Sequence, residues 1–462
     1  MINLRPSCPA ILAAACFLSA VLVSLEALAA ENVHPNNIPP WSSQALSLAD
    51  AVNLALRQNG SVLRGKSDLE AQYGVVIQTR ALAIPRVEAS GNYQTSDEVE
   101  AFPFPGSPPV QHQTWFSNIR IIQSIYEGGR ITSSLRSARL TKDQAVLQYQ
   151  TIVADAVLSV RVAYYDVLSA AEQVVVNEAS VKLLTQQLND QTRRYEAGTV
   201  PRFNVLQAEV ELANQRPRLI QARNAFRIAK NNLVNVLGSQ VTAGTWEDIP
   251  VNLTDRLDAD PYQIELPVAL SKALENRSEL AALRKAEALR REDVVNARAG
   301  YKPSIQLFAG YGGRNSEFNN DLGHDVSGYT AGAQFSWNIF DGFLTKGRVE
   351  QAKALYQGSK VDVDNETRSI ELEVRTAYSN FIEARETIES QKKVQEEAEE
   401  ALRLAIARND AGTGTQLDVL TAQTSLTTAR STQVQALHDY DVARARLERA
   451  IGLNTYGQKP AH

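Results

Sequence analysis

The phrase YEAGTVPRFNVLQAEVEL, residues 195–212, returns as NDAGTGTQLDVLTAQTSL, residues 409–426. A shift of 214 residues carries Gly198, Asn204, Val205, Leu206 and Ala208 onto Gly412, Asp418, Val419, Leu420 and Ala422. In the first copy a helical pattern runs into Ala197, Gly198 suits a left-handed C-terminal cap, and Pro201 sits where a first helical turn tolerates proline. Each phrase therefore reads as a turn between two helices, and a chain that repeats its turn repeats the hairpin that carries it. One large duplicated architecture accounts for the 462 residues better than two or three unrelated domains.

The repeat is preceded by a segment of different character. Arg5 supplies a positive start, residues 10–25 are apolar, and Ala27-Leu28-Ala29 forms an A-x-A cleavage site, so residues 1–29 read as a secretory signal peptide. A lipoprotein signal ending at Cys16 is the competing reading, because LAAAC resembles a lipobox. Cys8 and Cys16 are the only cysteines, so cleavage after Ala29 leaves no disulfide or thiol chemistry. Beyond the signal no apolar run approaches the roughly 20 residues of a membrane-spanning helix. An exported chain of this kind is either soluble or crosses a membrane as a β-barrel. A net charge of -5 and a pI near 5.7 give no electrostatic case for binding nucleic acid.

Helical patterns at about 47–58 and 62–83 have a counterpart at about 267–299, where PVALSKALENRSEL echoes ADAVNLALRQNGSVL. Each copy then reaches a proline, Pro85 or Pro303, and the period changes to two. Val87, Ala89 and Tyr93 alternate with polar residues, as do Ile305, Leu307, Ala309 and Tyr311. A second strand follows each loop, carrying Trp115, Ile119, Ile121 and Ile125 in copy one and Tyr329, Phe335, Trp337 and Ile339 in copy two. Loops at about 96–112 and 313–327 make each pair a hairpin. Strands of about 9 to 12 residues, apolar on one face with aromatics toward their ends, match a transmembrane barrel. A half-buried soluble sheet would show the same alternation. The expected lipid-facing residues are Tyr93, Trp115, Ile119, Ile121, Tyr311, Phe335, Trp337 and Ile339.

The helices shift that balance. After Gly128-Gly129 no glycine or proline occurs between Ile131 and Ala197, enough for a rod of roughly 100 Å at 1.5 Å per residue. Its partner runs from about Leu344 to Ala411, softened by Gly347 and Gly358. The return helices, about 201–237 and 415–451, are shorter, and placing 62–83 and 278–299 end to end with them restores the full length. Val153, Val157, Val160, Tyr164, Val167, Ala171 and Val174 follow 4-3 spacing, and Ala156, Val160, Ala163, Val167, Ala170 and Val174 do so with an offset. Two seams suit a neighbour on each side, as in a cylinder wall; one wide stripe facing a bundle core is the alternative. Ile370, Val374, Ala377, Phe381, Ala384 and Ile388 keep the rhythm in copy two.

With YEGGR and FDGF before the long helices, AYYDVL and AYSNFI within them and AGTxxxxxVLxA at both turns, the chain resembles the TolC-type outer-membrane efflux and secretion channel family. The resemblance implies a mainly α fold with a small β part. Long antiparallel helices would form a coiled-coil barrel in the periplasm, and four transmembrane strands per protomer would contribute to a barrel shared by a homotrimer in the outer membrane. It implies residues 30–238 as the first repeat, 239–263 as a linker in an equatorial collar, 264–452 as the second repeat, and 453–462 as a tail. The implied partners are the other copies, outer-membrane lipid, a periplasmic adaptor (membrane fusion) protein and an inner-membrane pump or ABC transporter. The function implied is a passive exit duct for drugs or small molecules in a tripartite efflux pump; the outlet of a type I protein secretion system and a soluble periplasmic coiled-coil scaffold are the alternatives.

No catalytic, cofactor or metal motif stands out. His34, His112, His324, His438 and His462 are scattered without helix-face metal spacing, and YEGGR lacks the phosphate-binding pattern. The turns are the candidate sites. By position in the family, Gly198, Thr199, Val205, Leu206, Gly412, Thr413, Val419 and Leu420 would dock the adaptor at the periplasmic mouth, although glycine and threonine also serve simply to end one helix and start the next. Asp418, Asn204 and Thr421 are the gate candidates. Three copies of Asp418 would ring a narrow opening with carboxylates, while Thr415-x-x-Asp418 is also a capping-box start. Asn409 and Gly414 stand where the family's gate carries a tyrosine and an arginine, Asn204 is the neutral counterpart of Asp418, and Thr421 replaces a second acid.

Overall fold

The computed structural model describes residues 45–95, 113–239, 249–315 and 325–453. The expected signal peptide, most of both hairpin loops, part of the linker and nearly all of the tail lie outside the described residues. The first repeat comprises α1 (Leu48–Gln58), α2 (Gly60–Ala81), β1 (Arg86–Thr95), β2 (Gln113–Glu127), α3 (Arg130–Glu196) and α4 (Arg202–Leu237). The second comprises α5 (Leu266–Asn276), α6 (Ser278–Arg298), β3 (Ser304–Asn315), β4 (Asp325–Ser336), α7 (Leu344–Asp410) and α8 (Gln416–Ile451). Both long helices have 67 residues and both return helices 36. Gly347 and Gly358 do not interrupt α7, and Pro217 is accommodated inside α4. Among the described residues no helix is long and apolar enough to cross a membrane.

The helices form a single layer. In one half the order is α2, α3, α6, α7; in the other it is α4, α3, α8, α7. The two-piece rods meet end to end as the sequence implies. At the first joint Asn59 caps α2 through Oδ1, which accepts from Ser61 and Val62 N–H, while its Nδ2 donates to the Val236 carbonyl at 2.6 Å. Gly238 closes α4 at φ +75°, and a Cβ there would lie 2.3 Å from the Gln58 carbonyl oxygen. At the second joint Arg277 donates to the Ala450 carbonyl and Gly452 closes α8 at φ +76° against Asn276.

Two apolar cores sit beside these joints. Val160, Tyr164 and Val167 of α3 pack on Leu233 and Leu237 with α1, and Ile370, Val374 and Phe381 of α7 pack on Leu447 and Ile451 with α5. The buried Tyr164 hydroxyl donates to Asp255 Oδ2 at 2.9 Å, and that carboxylate also accepts from Leu48 N–H at the start of α1. The segment before α5 is thereby tied to the first core.

The strands form one antiparallel sheet in the order β1-β2-β3-β4. Its register aligns the alternating residues into rows: Val87, Ile121, Ala309 and Ala331 in one, and Ile119, Tyr311 and Tyr329 in another. Tyr93 faces Trp115, and Ile305 faces Phe335. The opposite face carries Glu88, Arg120 and Thr330 in a row. Trp337 and Ile339 correct the expected strand list. Ser336 pairs with Ser304, the first residue of β3, and the chain before it is Pro303 and a 3-10 turn, so β4 has no partner left beyond Ser336. Trp337 instead donates its indole N–H to the Tyr301 carbonyl at 3.1 Å.

The two seams expected on α3 are also corrected. α3 does have a neighbour on each side, α4 and α8, but the side facing α8 is largely polar away from the turns. Asp155 meets Arg449, Arg161 meets Glu448 at 2.6 Å, Asp166 meets His438 at 2.7 Å, Gln173 meets Ser431, and Ser180 meets Thr427. Gln191 donates to Gln416 Oε1 at 2.9 Å near the turns. By contrast α3 with α4, and α7 with α8, close over apolar side chains such as Leu184 with Leu212 and Leu402 with Leu426. Each hairpin is zipped by hydrophobic burial, and the two hairpins are joined by polar contacts along most of their length, with Leu420 packing on Leu184 and Leu212 near the turns.

The polar seam titrates. Burial pushes the Asp441 carboxyl up to about 7 against the pull of Arg444 and Arg161, with Asp260 adding to the rise. Burial draws the His438 imidazole down, and the carboxylates of Asp166 and Asp439 more than offset it, so its pKa is raised. Both groups hold more protons folded than unfolded. The Asp441 contribution is complete below its unfolded value of about 3.9 and disappears as pH rises toward 7; that of His438 is complete below about 6.5 and is lost through its raised folded value. The melting temperature is therefore expected to fall as pH rises from about 4 to about 7, and Asp441→Asn should at least halve that fall in circular-dichroism melts. At the first joint Gly238→Ala should destabilise by more than Gly198→Ala. Both meet the left-handed penalty of roughly 1 to 2 kcal/mol, but only the former also clashes with backbone.

Candidate functional site

The two helical turns lie side by side at the end of the layer remote from the sheet, and each is built by the residues that repeat. Gly198 and Gly412 adopt φ +72° and +74°, the left-handed conformation that ends a helix without a Cβ penalty. Thr199 donates both its N–H and its hydroxyl to the Arg194 carbonyl, at 2.9 and 2.8 Å, and Thr413 does the same to the Arg408 carbonyl at 2.9 and 3.2 Å. The threonines thus satisfy a carbonyl that the helix end would leave open.

The next helices start differently. α8 begins with a capping box: Asp418 N–H donates to Thr415 Oγ1 at 3.2 Å, and Thr415 N–H donates to Asp418 Oδ2 at 2.9 Å. These hydrogen bonds from Thr415, with a smaller pull from Arg408, hold the exposed Asp418 carboxyl below its ordinary range, so it is ionised at neutral pH. α4 begins at Pro201 without a side-chain cap, and Asn204 is half-buried in its first turn. Thr421 is exposed and lines a groove of about 540 Å³ with Gln207, Glu211 and Leu417.

The eight turn residues do not form one exposed surface. Gly198, Thr199, Gly412, Thr413 and Leu206 are exposed, and Val205 is partly covered. Val419 and Leu420 are buried, at 5 and 4 % exposure, and this corrects their assignment to an outer surface. Val419 packs with Leu402 and Leu426, and Leu420 with Leu184 and Leu212, because the first turn of α8 is wedged between both hairpins. The apolar side chains that do face outward beside the turns are Phe203, Leu206 and Leu417.

The contacts that join the two turns are absent from the sequence reading. Arg194 Nη2 donates to Asp410 Oδ1 at 2.8 Å, linking the last turn of α3 to the last turn of α7. Behind this ion pair a cavity of about 220 Å³ is lined by Gln187, Gln191, Gln416 and Gln423. Pairing spacing could not have found Arg194, but the shift of 214 residues could: it places Arg194 and Arg408, and Glu196 and Asp410, at equivalent helix ends. Among the described residues no group of histidine, cysteine and carboxylate side chains is arranged to hold a metal.

At the far end the sheet offers one apolar face with Tyr93, Ile119, Ile121, Tyr311 and Phe335 exposed and Trp115 partly covered. β1 and β4 are its two edges. A sheet with an exposed apolar face and unpaired edges, mounted on a pair of 67-residue hairpin helices, is a segment of a wall.

The comparisons with known proteins agree with this geometry. The sequence profile described as outer membrane efflux protein matches residues 51–239 and again 269–453. The chain is 24% identical over 425 residues to the outer membrane protein TolC of Escherichia coli, covering 89% of this chain and 83% of that one. It is 24% identical over 416 residues to the alkaline protease secretion protein AprF of Pseudomonas aeruginosa, covering 88% and 85%. In three dimensions it resembles the Campylobacter jejuni CmeC outer membrane channel with a TM-score of 0.75, at 15% identity and over 88% and 85% of the two chains. The twofold match of the profile falls on the two copies of the hairpin read from the turns, and the chain belongs to the outer membrane efflux protein family, the outer-membrane channels of efflux and secretion.

Proposed function

We propose that three copies of this chain close into one tube: a twelve-stranded barrel in the outer membrane continued by a helical barrel in the periplasm, serving as a passive, non-enzymatic exit duct. The observation that carries this reading is the four-stranded sheet, whose apolar face and two unpaired edges are incompatible with both water and lipid until other copies complete it. Energy comes from partners at the inner membrane, a pump or ABC transporter, through a periplasmic adaptor that meets the helical turns. Phe203, Leu206 and Leu417, with the backbone around Gly198 and Gly412, are the surface offered to that adaptor. Small-molecule efflux is the primary reading. Similarity to a protein named for alkaline protease secretion keeps a protein cargo as the second.

The same geometry supports a resting closure. Arg194–Asp410 and Gln191–Gln416 tie the end of one hairpin to the other, taking the place of the tyrosine and arginine that Asn409 and Gly414 replace. Both ion-pair partners are about half exposed, so the tie contributes at most about 1 kcal/mol and is weak enough for a docked partner to release. Asp418 stays ionised in its capping box, and three copies would set fixed negative charge at the mouth.

Single-channel recording in a planar bilayer tests these assignments. The purified chain should insert from detergent and conduct. Arg194→Gln should raise the resting conductance several-fold, and Asp418→Asn should reduce cation preference. Recovery of the chain in the detergent-free soluble fraction would refute the channel, an unchanged resting conductance would remove Arg194 from the closure, and unchanged selectivity would leave Asp418 as a helix cap alone.

A further inference from the structure

Among the described residues Phe343 is the one side chain other than glycine whose backbone is left-handed, at φ +68°. A shift of 214 residues places it on Gly129, which takes φ +102° at the same point of copy one, the junction between a strand and a long helix. The fold needs a left-handed residue there. Glycine supplies it without a Cβ penalty, yet copy two carries an aromatic ring and bears the strain. Helix capping does not account for the ring, because Asp341 already closes the start of α7 by accepting from Thr345 N–H at 2.9 Å.

The residues around Phe343 differ from copy one in the same sense. Trp337 stands in place of Gln123, Leu344 in place of Arg130 and Lys346 in place of Thr132. Ile339, Phe340 and Phe343 are 84, 74 and 67 % exposed. Phe340 and Phe343 meet edge to face with ring centroids 5.5 Å apart, and the Lys346 ammonium lies 5.8 Å from the Phe343 centroid. A strained residue held in an exposed apolar patch marks a surface built for a partner.

The patch continues the apolar face of the sheet, since Phe335 belongs to that face and Trp337 follows it two residues on. Copy one also shows what a packed neighbour leaves open at such a junction. There the connection between α6 and β3 lies so close that a Cβ on Gly128 would be 2.6 Å from the Ala299 carbonyl oxygen, while a Cβ on Gly129 would meet nothing within 4 Å. A second copy seated in the same way on the copy-two junction would cover Gly342 and leave Phe343 in open space.

We propose that Phe343, with Phe340 and Ile339, enters the phospholipid leaflet that faces the periplasm, and that Lys346 contacts lipid phosphate beside it. Each protomer then holds the membrane boundary at one strand-to-helix junction and not at the other. The proposal rests on the barrel reading of the sheet. Its chemistry suits the boundary between acyl chains and headgroups, where a ring leaves water and a nearby ammonium reaches the phosphates. Burial of the ring in lipid offsets the strain of its backbone. Gly128-Gly129-Arg130 in copy one has no apolar side chain to insert.

Spin-label accessibility tests this in the full-length chain, reconstituted in vesicles of phosphatidylethanolamine and phosphatidylglycerol. Nitroxides are placed singly at Phe343→Cys and at Phe340→Cys, which keeps Phe343 in place. Ile119→Cys on the sheet face serves as the lipid reference, Thr421→Cys near the helical turns as the aqueous one, and the labelled parent chain controls for Cys8 and Cys16. Labels at Phe340 and Phe343 should collide several-fold more with oxygen than with a water-soluble nickel chelate, as at Ile119. Ready access to both reagents would place the junction in the aqueous lumen, and poor access to both would mean that a neighbouring copy covers it; either overturns the anchor while the barrel stands. An Ile119 label open to nickel overturns the barrel and the anchor together. Phe343→Gly, which relieves the strain, and Lys346→Gln should each lower the oxygen-to-nickel ratio at the Phe340 label several-fold. An unchanged ratio would remove that side chain from the anchor.

Discussion

The outward backbone groups of β1 and β4 are the constraint on which the rest of this structure depends. In hydrocarbon an unpaired N–H or carbonyl has no water to turn to and costs several kcal/mol, so a four-stranded open sheet cannot stand alone in a membrane. The row of Ile119, Tyr311 and Tyr329 leaves large apolar side chains exposed on one face of the sheet, which suits the apolar surrounding proposed for it. In the proposed assembly copies pair edge to edge, and the helices that leave the same strands inherit that spacing. The layer α4, α3, α8, α7 accordingly ends in two open sides, one at α4 and one at α7, directly below the two open strands.

Within the layer the physics divides by seam. Hairpin interiors, with Leu184 on Leu212 and Leu402 on Leu426, are held by non-directional burial and stay closed. The seam between hairpins uses ion pairs and amide contacts, whose desolvation offsets much of their attraction, so it fixes register at little net stability. Rigid hairpins joined by a weak, register-specific seam can shift against one another without unfolding. In the proposed channel the ends of the layer, where Arg194 meets Asp410, are where such a shift would have the largest effect on the opening.

The sequence made the repeat, the strand alternation and the end-to-end helices legible, because each depends on local period and on Gly and Pro at fixed offsets. Gly198 and Gly412 could be read as left-handed caps before any coordinates. Contacts between segments far apart in the chain were not legible. A hydrophobic pattern is blind to a polar seam, so the apolar spacing on α3 gave no sign of the contacts that Asp166, Gln173 and Ser180 make with α8. Val419 and Leu420 were expected at the adaptor contact by position in the family, yet Leu420 is covered by Leu184 and Leu212 of the first hairpin and Val419 by Leu402 and Leu426 of its own. Trp337 and Ile339 continued the alternation past the last residue that β3 could pair. Lipid contact, adaptor docking and the charge ring of Asp418 need partners, and a single sequence carries only their side chains.

Hydrogen exchange of the β1 and β4 backbone amides, measured on the assembled chain in lipid nanodiscs, tests the edge constraint most directly. Outward amides on both edges are expected to be protected as strongly as those of β2 and β3, because in the proposed assembly each edge is paired with a neighbouring copy. Exchange of either edge at the rate of an open strand, while β2 and β3 stay protected, would contradict closure of the sheet between copies and with it the channel built upon it.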